Sequence, residues 1–291
     1  MAWIHVVILA VIQGLTELLP VSSSAHVIVT AKLLHEDMSA PSNALLLVML
    51  HTGTMFAVIV YFWRQWVTVF LSSWTKFYAF ARFVFVSSLF SGFVFLPIDK
   101  FVAHILSHGS YHADIEALFN KLNWIAPALA IVGLLILYAG LHEARRPEAG
   151  KANVLRGIRW VDAISMGVLQ GLAIPFRGFS RSGSTISGGL LTGGCRCEIE
   201  SYSFAMGVAI TPLAIAWEVR RVYHKAHLAL IPVHWSAVLA PGILGMVFAF
   251  FAGLLALRWL SRWLEQGRWY LFGIYCLVAA GAAEILYLRG W

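Results

Sequence analysis

Gln13 and Glu17 stand four residues apart, so a helix puts an amide and a carboxylate on one face, one turn from each other. Just beyond Pro20 come Ser22, Ser23 and Ser24, with His26 three positions past Ser23. A hydroxyl beside an imidazole or a carboxylate is the equipment of a nucleophile and its base. A second run, Arg177-Gly178-Phe179-Ser180-Arg181-Ser182-Gly183-Ser184-Thr185, sets two guanidinium groups among hydroxyls. Arginine's planar fork suits bidentate phosphate binding. Both runs sit where a short helix would begin, and that end offers unpaired backbone amides and the positive end of the helix dipole to an anion. The combination points to phosphate chemistry, and two schemes stay open. Either Ser23 attacks, assisted by His26 or Glu17, or water attacks with Glu17 as base. Glu17, with Gln13, would also be the place for a divalent cation, Mg²⁺ or Ca²⁺, bridging phosphate oxygens. Substrate-binding candidates are Gln13, Ser22, Ser24, Arg177, Ser180, Ser182, Ser184 and Thr185. His51 and Thr52, polar groups in the middle of an apolar run, are expected behind the same cavity in a supporting role. Structural readings compete: serine-rich caps commonly only start helices, and Arg181 can simply pair with Glu17.

Stepping from these residues to what must hold them, the 291-residue chain is 60% hydrophobic and 12% charged, with mean hydropathy +0.78. That is far too apolar for a water-soluble domain and identifies an all-α integral membrane protein. A net charge of +7 fits basic cytoplasmic loops, and without a basic stripe interleaved with stacking aromatics it excludes nucleic acid as a partner. Cys195, Cys197 and Cys276 make no disulfide framework, and one Cys-x-Cys lacks the further ligands of a metal site. The first 19 residues imitate a secretory signal but lack its basic start, so the segment is expected to be retained.

Long apolar runs at about 43–63, 79–97, 123–141, 201–217, 236–258 and 268–288 predict six spanning helices. Four shorter pieces, 3–19, 24–34, 160–175 and 183–194, are too short to cross and suit two re-entrant pairs. Sliding the first half by 157 positions lays Gln13 on Gln170, Ser23 on Ser180, Met49 on Met206 and Arg64 on Arg221. Two repeats follow, 1–141 and 160–291, joined by a charged linker at 142–159 within one membrane domain. Each repeat holds a re-entrant pair plus three spans, an odd number, so the second is expected to be inverted. Symmetry of this kind predicts that Ser23 and Arg181 face one cavity. Lysine and arginine concentrate on the face carrying Arg64, Lys76, Arg82, the linker, Arg196 and Arg262, which makes it cytoplasmic. The site then opens on the extracytoplasmic side, with His35, His104, His108, His112, His224, His227 and His234. The four-residue recurrence of His104, His108 and His112 could line up metal ligands, though an amphipathic surface helix accounts for it as well.

Gln13-Gly14-Leu15-Thr16-Glu17 followed by Pro20-Val21-Ser22-Ser23, together with Gly178-Phe179-Ser180-Arg181-Ser182-Gly183-Ser184-Thr185, resembles the undecaprenyl-pyrophosphate phosphatase family associated with bacitracin resistance, over essentially the whole chain. The resemblance implies a bacterial inner-membrane hydrolase that removes the terminal phosphate of a polyprenyl diphosphate lipid for cell-wall precursor recycling. It also implies Glu17, Ser23, His26 and Arg181 as the essential group. Two departures stand out: Arg177 where the family motif usually begins with proline, and Cys276 where members often carry arginine. Inverted repeats with broken helices also build transporters, so a lipid-phosphate flippase is the alternative of another class. A phosphatase of another lipid phosphate would differ only in how it holds the tail. The sequence does not decide whether two copies pair as a homodimer.

Overall fold

The computed structural model describes residues 1–36, 41–106, 122–145, 157–228 and 235–289, and among them all regular secondary structure is helical. Ten helices follow in order: α1 (Trp3–Leu18), α2 (Ser23–Leu33), α3 (Pro41–Val69), α4 (Trp74–Leu106), α5 (Leu122–Ala144), α6 (Trp160–Ala173), α7 (Arg181–Leu191), α8 (Arg196–Leu228), α9 (Trp235–Glu265) and α10 (Tyr270–Leu288). Six are long and apolar enough to cross a membrane, over Leu45–Val69, Trp74–Phe101, Trp124–Ala144, Arg196–Trp217, Leu239–Glu265 and Tyr270–Leu288. All six expected spans are therefore present, and most run further than the apolar stretches do. The short pieces are α1, α2, α6 and α7, of 16, 11, 14 and 11 residues. At 1.5 Å per residue none reaches the roughly 30 Å of a hydrocarbon core.

α1 opens at Trp3 and α6 at Trp160, and each is followed by an 11-residue helix and then a long one. Most of the linker, the loop at 107–121 and the residues His108, His112 and His234 lie outside the described residues, as do the side chains of His104, His224 and His227.

The described chain falls into two compact units. The first comprises Met1–Leu19, Ser23–Arg64 and Gly207–Leu260. Its core joins Val6, Leu9 and Ala10 of α1 to Val27 and Ala31 of α2, Leu46 and Leu50 of α3 and Ala249 of α9. α3 and α9 approach so closely that a Cβ at Gly53 would lie 2.3 Å from the Met246 carbonyl oxygen. Only glycine fits such a crossing.

The second unit comprises Pro20–Ser22, Gln65–Met206 and Ser261–Trp291. Here α4 and α6 are tied by buried hydroxyls: Ser87 donates to the Ala163 carbonyl at 2.7 Å and Ser91 to that of Gly167 at 2.8 Å. Bonds of this kind, with small residues at the crossing, hold helices together where lipid offers no hydrophobic drive. The start of α6 is clasped to the end of α7. Arg159 donates to both Asp162 oxygens and to the Thr192 carbonyl, and Thr192 donates to Asp162 at 2.6 Å. Burial works against the Asp162 carboxylate, but the bonds from Arg159 and Thr192 outweigh it and hold its pKa below the usual carboxylate value.

Candidate active site

Pro20, just past α1, has no N–H to extend it, so α1 ends at Leu18 and the chain resumes helix at Ser23. Gln13 and Glu17 occupy the last turns of α1, and Gln13 Nε2 donates to Glu17 Oε2 at 2.9 Å. Ser23 Oγ donates to the same oxygen at 2.5 Å. That length is at the short end for a hydroxyl on a carboxylate, as expected when the acceptor is charged. His51 approaches from α3, its Nε2 3.6 Å from Glu17 Oε2. The other ring nitrogen lies 2.8 Å from the Leu47 carbonyl, and because a carbonyl only accepts, Nδ1 carries the proton. Three helices thus converge on one carboxylate that is 18% exposed. His26 sits half-buried on α2, one turn beyond Ser23. Thr52 turns its hydroxyl to the Val48 carbonyl of its own helix at 2.8 Å.

The second unit holds the other motif. Gly178, at φ +102°, turns the chain where a side chain would meet the Ile125 carbonyl oxygen at 2.6 Å. Ser180 then caps α7, accepting from Gly183 N at 3.2 Å, which makes Arg181 the first residue of the helix. Arg177 and Arg181 are half-buried, whereas Ser180, Ser182, Ser184 and Thr185 are buried. Ser184 and Thr185 both donate to the Arg181 carbonyl at 2.9 Å, and Thr185 also meets Ser203 at 2.6 Å. Their protons are committed to holding the first turn, while the hydroxyls of Ser180 and Ser182 lie 3.4 Å apart at its mouth.

The Pro20–Ser22 turn of the first motif belongs to this unit as well. Cys276 Sγ donates to the Pro20 carbonyl at 3.2 Å, and a Cβ on Gly183 would stand 3.2 Å from that of Pro20. The segment that leads directly into Ser23 is therefore packed on the first turn of α7. Within it Ser22 has φ 67°, a left-handed conformation unusual for a non-glycine residue. Such strain gathers at functional turns.

Sequence reasoning foresaw the Gln13–Glu17 face and both helix starts. His51 was expected only in a supporting role and proves to face Glu17 directly. Its mid-span place signals a polar role but not which group it meets. Neither the Ser22 backbone nor the Cys276 contact was anticipated.

The Bacitracin resistance protein BacA family model matches residues 6–282. The chain is 48% identical over 285 residues to Undecaprenyl-diphosphatase 2 of Acinetobacter baylyi, covering 97% of each. It is 31% identical over 299 residues to Undecaprenyl-diphosphatase of Gluconacetobacter diazotrophicus, covering 99% of this chain and 98% of that one. Against Undecaprenyl-diphosphatase of Desulfatibacillum aliphaticivorans it is 33% identical over 282 residues, 95% of each.

Proposed function

We infer that this chain, which belongs to the Bacitracin resistance protein BacA family, is an undecaprenyl-diphosphatase, an integral membrane hydrolase that converts a polyprenyl diphosphate to the monophosphate carrier. The observation that carries the mechanism is the bond from Ser23 Oγ to Glu17 Oε2. It is a nucleophile already hydrogen-bonded to a base. In the proposed reaction Glu17 takes the Ser23 proton as Oγ attacks the terminal phosphorus, and the bond to the bridging oxygen breaks to release the lipid monophosphate. Glu17 gives that proton to the departing lipid phosphate; water then attacks the phosphoserine, losing a proton to Glu17, which returns it to Ser23 Oγ as inorganic phosphate leaves. His26, one turn along α2, is assigned to hydrogen-bond the phosphoryl group. Arg181 is assigned to the charge that develops in transfer, together with the amides at the starts of α2 and α7.

That both motifs serve one diphosphate is part of this proposal and rests on their pairing in the sequence. The half-buried Arg177 supplies a second cation in the turn before α7. A divalent ion, Mg²⁺ or Ca²⁺, fits the donor set at its lower limit. Glu17 is one carboxylate, and Gln13, whose Nε2 is turned to Glu17, keeps its carbonyl oxygen as a neutral ligand. Such an ion would supply charge neutralisation on the phosphates.

The flippase alternative has no use for a serine held against a carboxylate. Release of inorganic phosphate from undecaprenyl diphosphate by purified protein in detergent, where no gradient exists, separates the two, and absence of release would overturn the hydrolase reading. Arg181→Lys keeps the charge but loses the fork. It should lower release at least tenfold, and full activity would reduce Arg181 to a structural role.

The placement proposed is the bacterial inner membrane with the site open outward, supported by Lys76, Arg82, Arg196 and Arg262 on the opposite expected face. Leu33, exposed at the end of α2, provides the test. Leu33→Cys should react with a membrane-impermeant thiol reagent in intact cells, and reaction only after the inner face is opened reverses the orientation.

A further inference from the structure

Away from the phosphate-handling residues, Cys195 and Cys197 bring their Sγ atoms to 3.4 Å across the start of α8. Cys195 is the cap of that helix, its carbonyl accepting from Ile199 N at 2.9 Å, and Cys197 lies in the first turn. Both are partly exposed, whereas Cys276 is buried against Pro20. Two sulfurs at van der Waals contact need to close only to about 2.05 Å to bond. Hydrogen bonding from the Cys197 thiol, helped by the amides of Cys197 and Glu198, holds the Cys195 pKa below the ordinary thiol value against its burial. That is the usual situation of a reactive thiol at a helix start. Metal binding is the competing use of a dithiol, but among the described residues no group of three or more His, Cys, Asp or Glu could hold an ion. The neighbouring Glu198 is engaged by the Gly157 amide at 3.0 Å.

We propose that Cys195 and Cys197 form a thiol–disulfide exchange site, a reversible modification site for small disulfides of the glutathione class. Cys195 thiolate attacks one sulfur of the small disulfide, forming a mixed disulfide and expelling one thiolate. Cys197 then loses its proton and attacks Cys195 Sγ, closing the bridge and expelling the second thiolate. Two electrons pass from the cysteine pair to the small disulfide, which leaves as two thiols. The bridge would fix the first turn of α8, where several elements are tied within the same unit. Gln65 of α3 donates to the Cys197 carbonyl at 3.2 Å, and Arg196 donates to Glu143 of α5 at 3.1 Å and to the Glu265 carbonyl at 2.8 Å.

Arg196, between the two cysteines, supplies the assay, because trypsin cutting after it yields two peptides that stay joined only if the bridge exists. Detergent-solubilised full-length protein would be treated with oxidised glutathione, denatured, digested without reductant and mapped by mass. Monomeric wild-type protein should give the linked pair, separable by reductant, with no glutathione retained at Cys195 and none on Cys276. Cys197→Ser should instead accumulate glutathione on Cys195. Cys195→Ser should react at Cys197 at least tenfold more slowly at neutral pH. A stable glutathione adduct on wild-type Cys195, linkage only between two chains, or equal labelling of Cys276 would overturn the proposal.

Discussion

Replacing Glu17 by glutamine removes the proposed base while leaving its surroundings nearly intact, and the structure says why. Oε2 accepts from Gln13 Nε2 and from Ser23 Oγ. Both neighbours are donors, so the new amide will turn its oxygen to that position and keep both bonds. What is lost is the ability to take a proton. General-base assistance contributes roughly 10²–10⁴-fold, which at 1.36 kcal/mol per decade is about 3–5 kcal/mol of transition-state stabilisation. Initial rates of phosphate release should therefore show kcat falling by that factor with KM nearly unchanged, and the melting temperature in detergent should move little. Glu17→Asp keeps the charge but shortens the reach by one methylene, so its loss should be intermediate. A Glu17→Gln protein whose kcat stays within tenfold of wild type would refute the assignment of Glu17 as base. A change confined to KM would move it to substrate binding.

Three further outcomes follow from packing and charge. Gly53→Ala drives a Cβ to 2.3 Å from the Met246 carbonyl oxygen, backbone that cannot step aside. It should lower stability by about 1–3 kcal/mol, whereas Gly92→Ala, with nothing within 4 Å, should be neutral or gain up to about 1 kcal/mol; equal thermal shifts would refute the close α3–α9 crossing. Because the Asp162 pKa is depressed in the fold, its stabilising share is present above the usual carboxylate value of about 4 and fades as pH falls through the folded one. Asp162→Asn should cost about 1–3 kcal/mol at pH 7, discounted because Arg159 is half exposed, and should flatten the acid limb of stability against pH; an unchanged limb would place that acid sensitivity elsewhere. Ser22→Gly should raise stability by about 1 kcal/mol by relieving the left-handed backbone, and a lower melting temperature would show that the Ser22 side chain, not its φ, governs the turn.

Six spans were legible because an apolar run of about 17–23 residues has few other fates. The short helices were legible because Pro20 and the glycine turn at Gly178 interrupt the pattern in equivalent places of the two halves. Gln13 and Glu17 share a face by periodicity alone, and here local geometry was sufficient. The approach of His51 to Glu17 was not legible, because it depends on how α3 rotates about the Gly53 crossing. The Cys276–Pro20 contact joins positions 256 apart, which no local rule reaches. Ser184 and Thr185 looked like phosphate donors because a hydroxyl has the same formula whether it faces a ligand or bonds back to its own helix. Only the structure assigns their protons to the Arg181 carbonyl.

Divergence between the halves clarifies how the proposed chemistry is divided. Position by position at the 157 offset, Trp3 matches Trp160, Gln13 matches Gln170 and Ser23 matches Ser180, so helix starts and caps are shared. Glu17 and His26, by contrast, meet Ile174 and Gly183, and Ser24 meets Arg181. Gln13 gives its amide to the carboxylate, whereas Gln170, lacking one, gives its amide to Ser91 Oγ at 3.1 Å. On the proposed mechanism the first motif brings the base and the nucleophile, and the second brings Arg181. A carboxylate and a serine alone would repel a diphosphate more than they attack it, since like charges in a low-dielectric site cost several kcal/mol. In the proposed reaction the cation at 181 is what offsets that repulsion for an anionic substrate. On the proposed mechanism, then, the two helix starts divide the chemistry because they differ in charge.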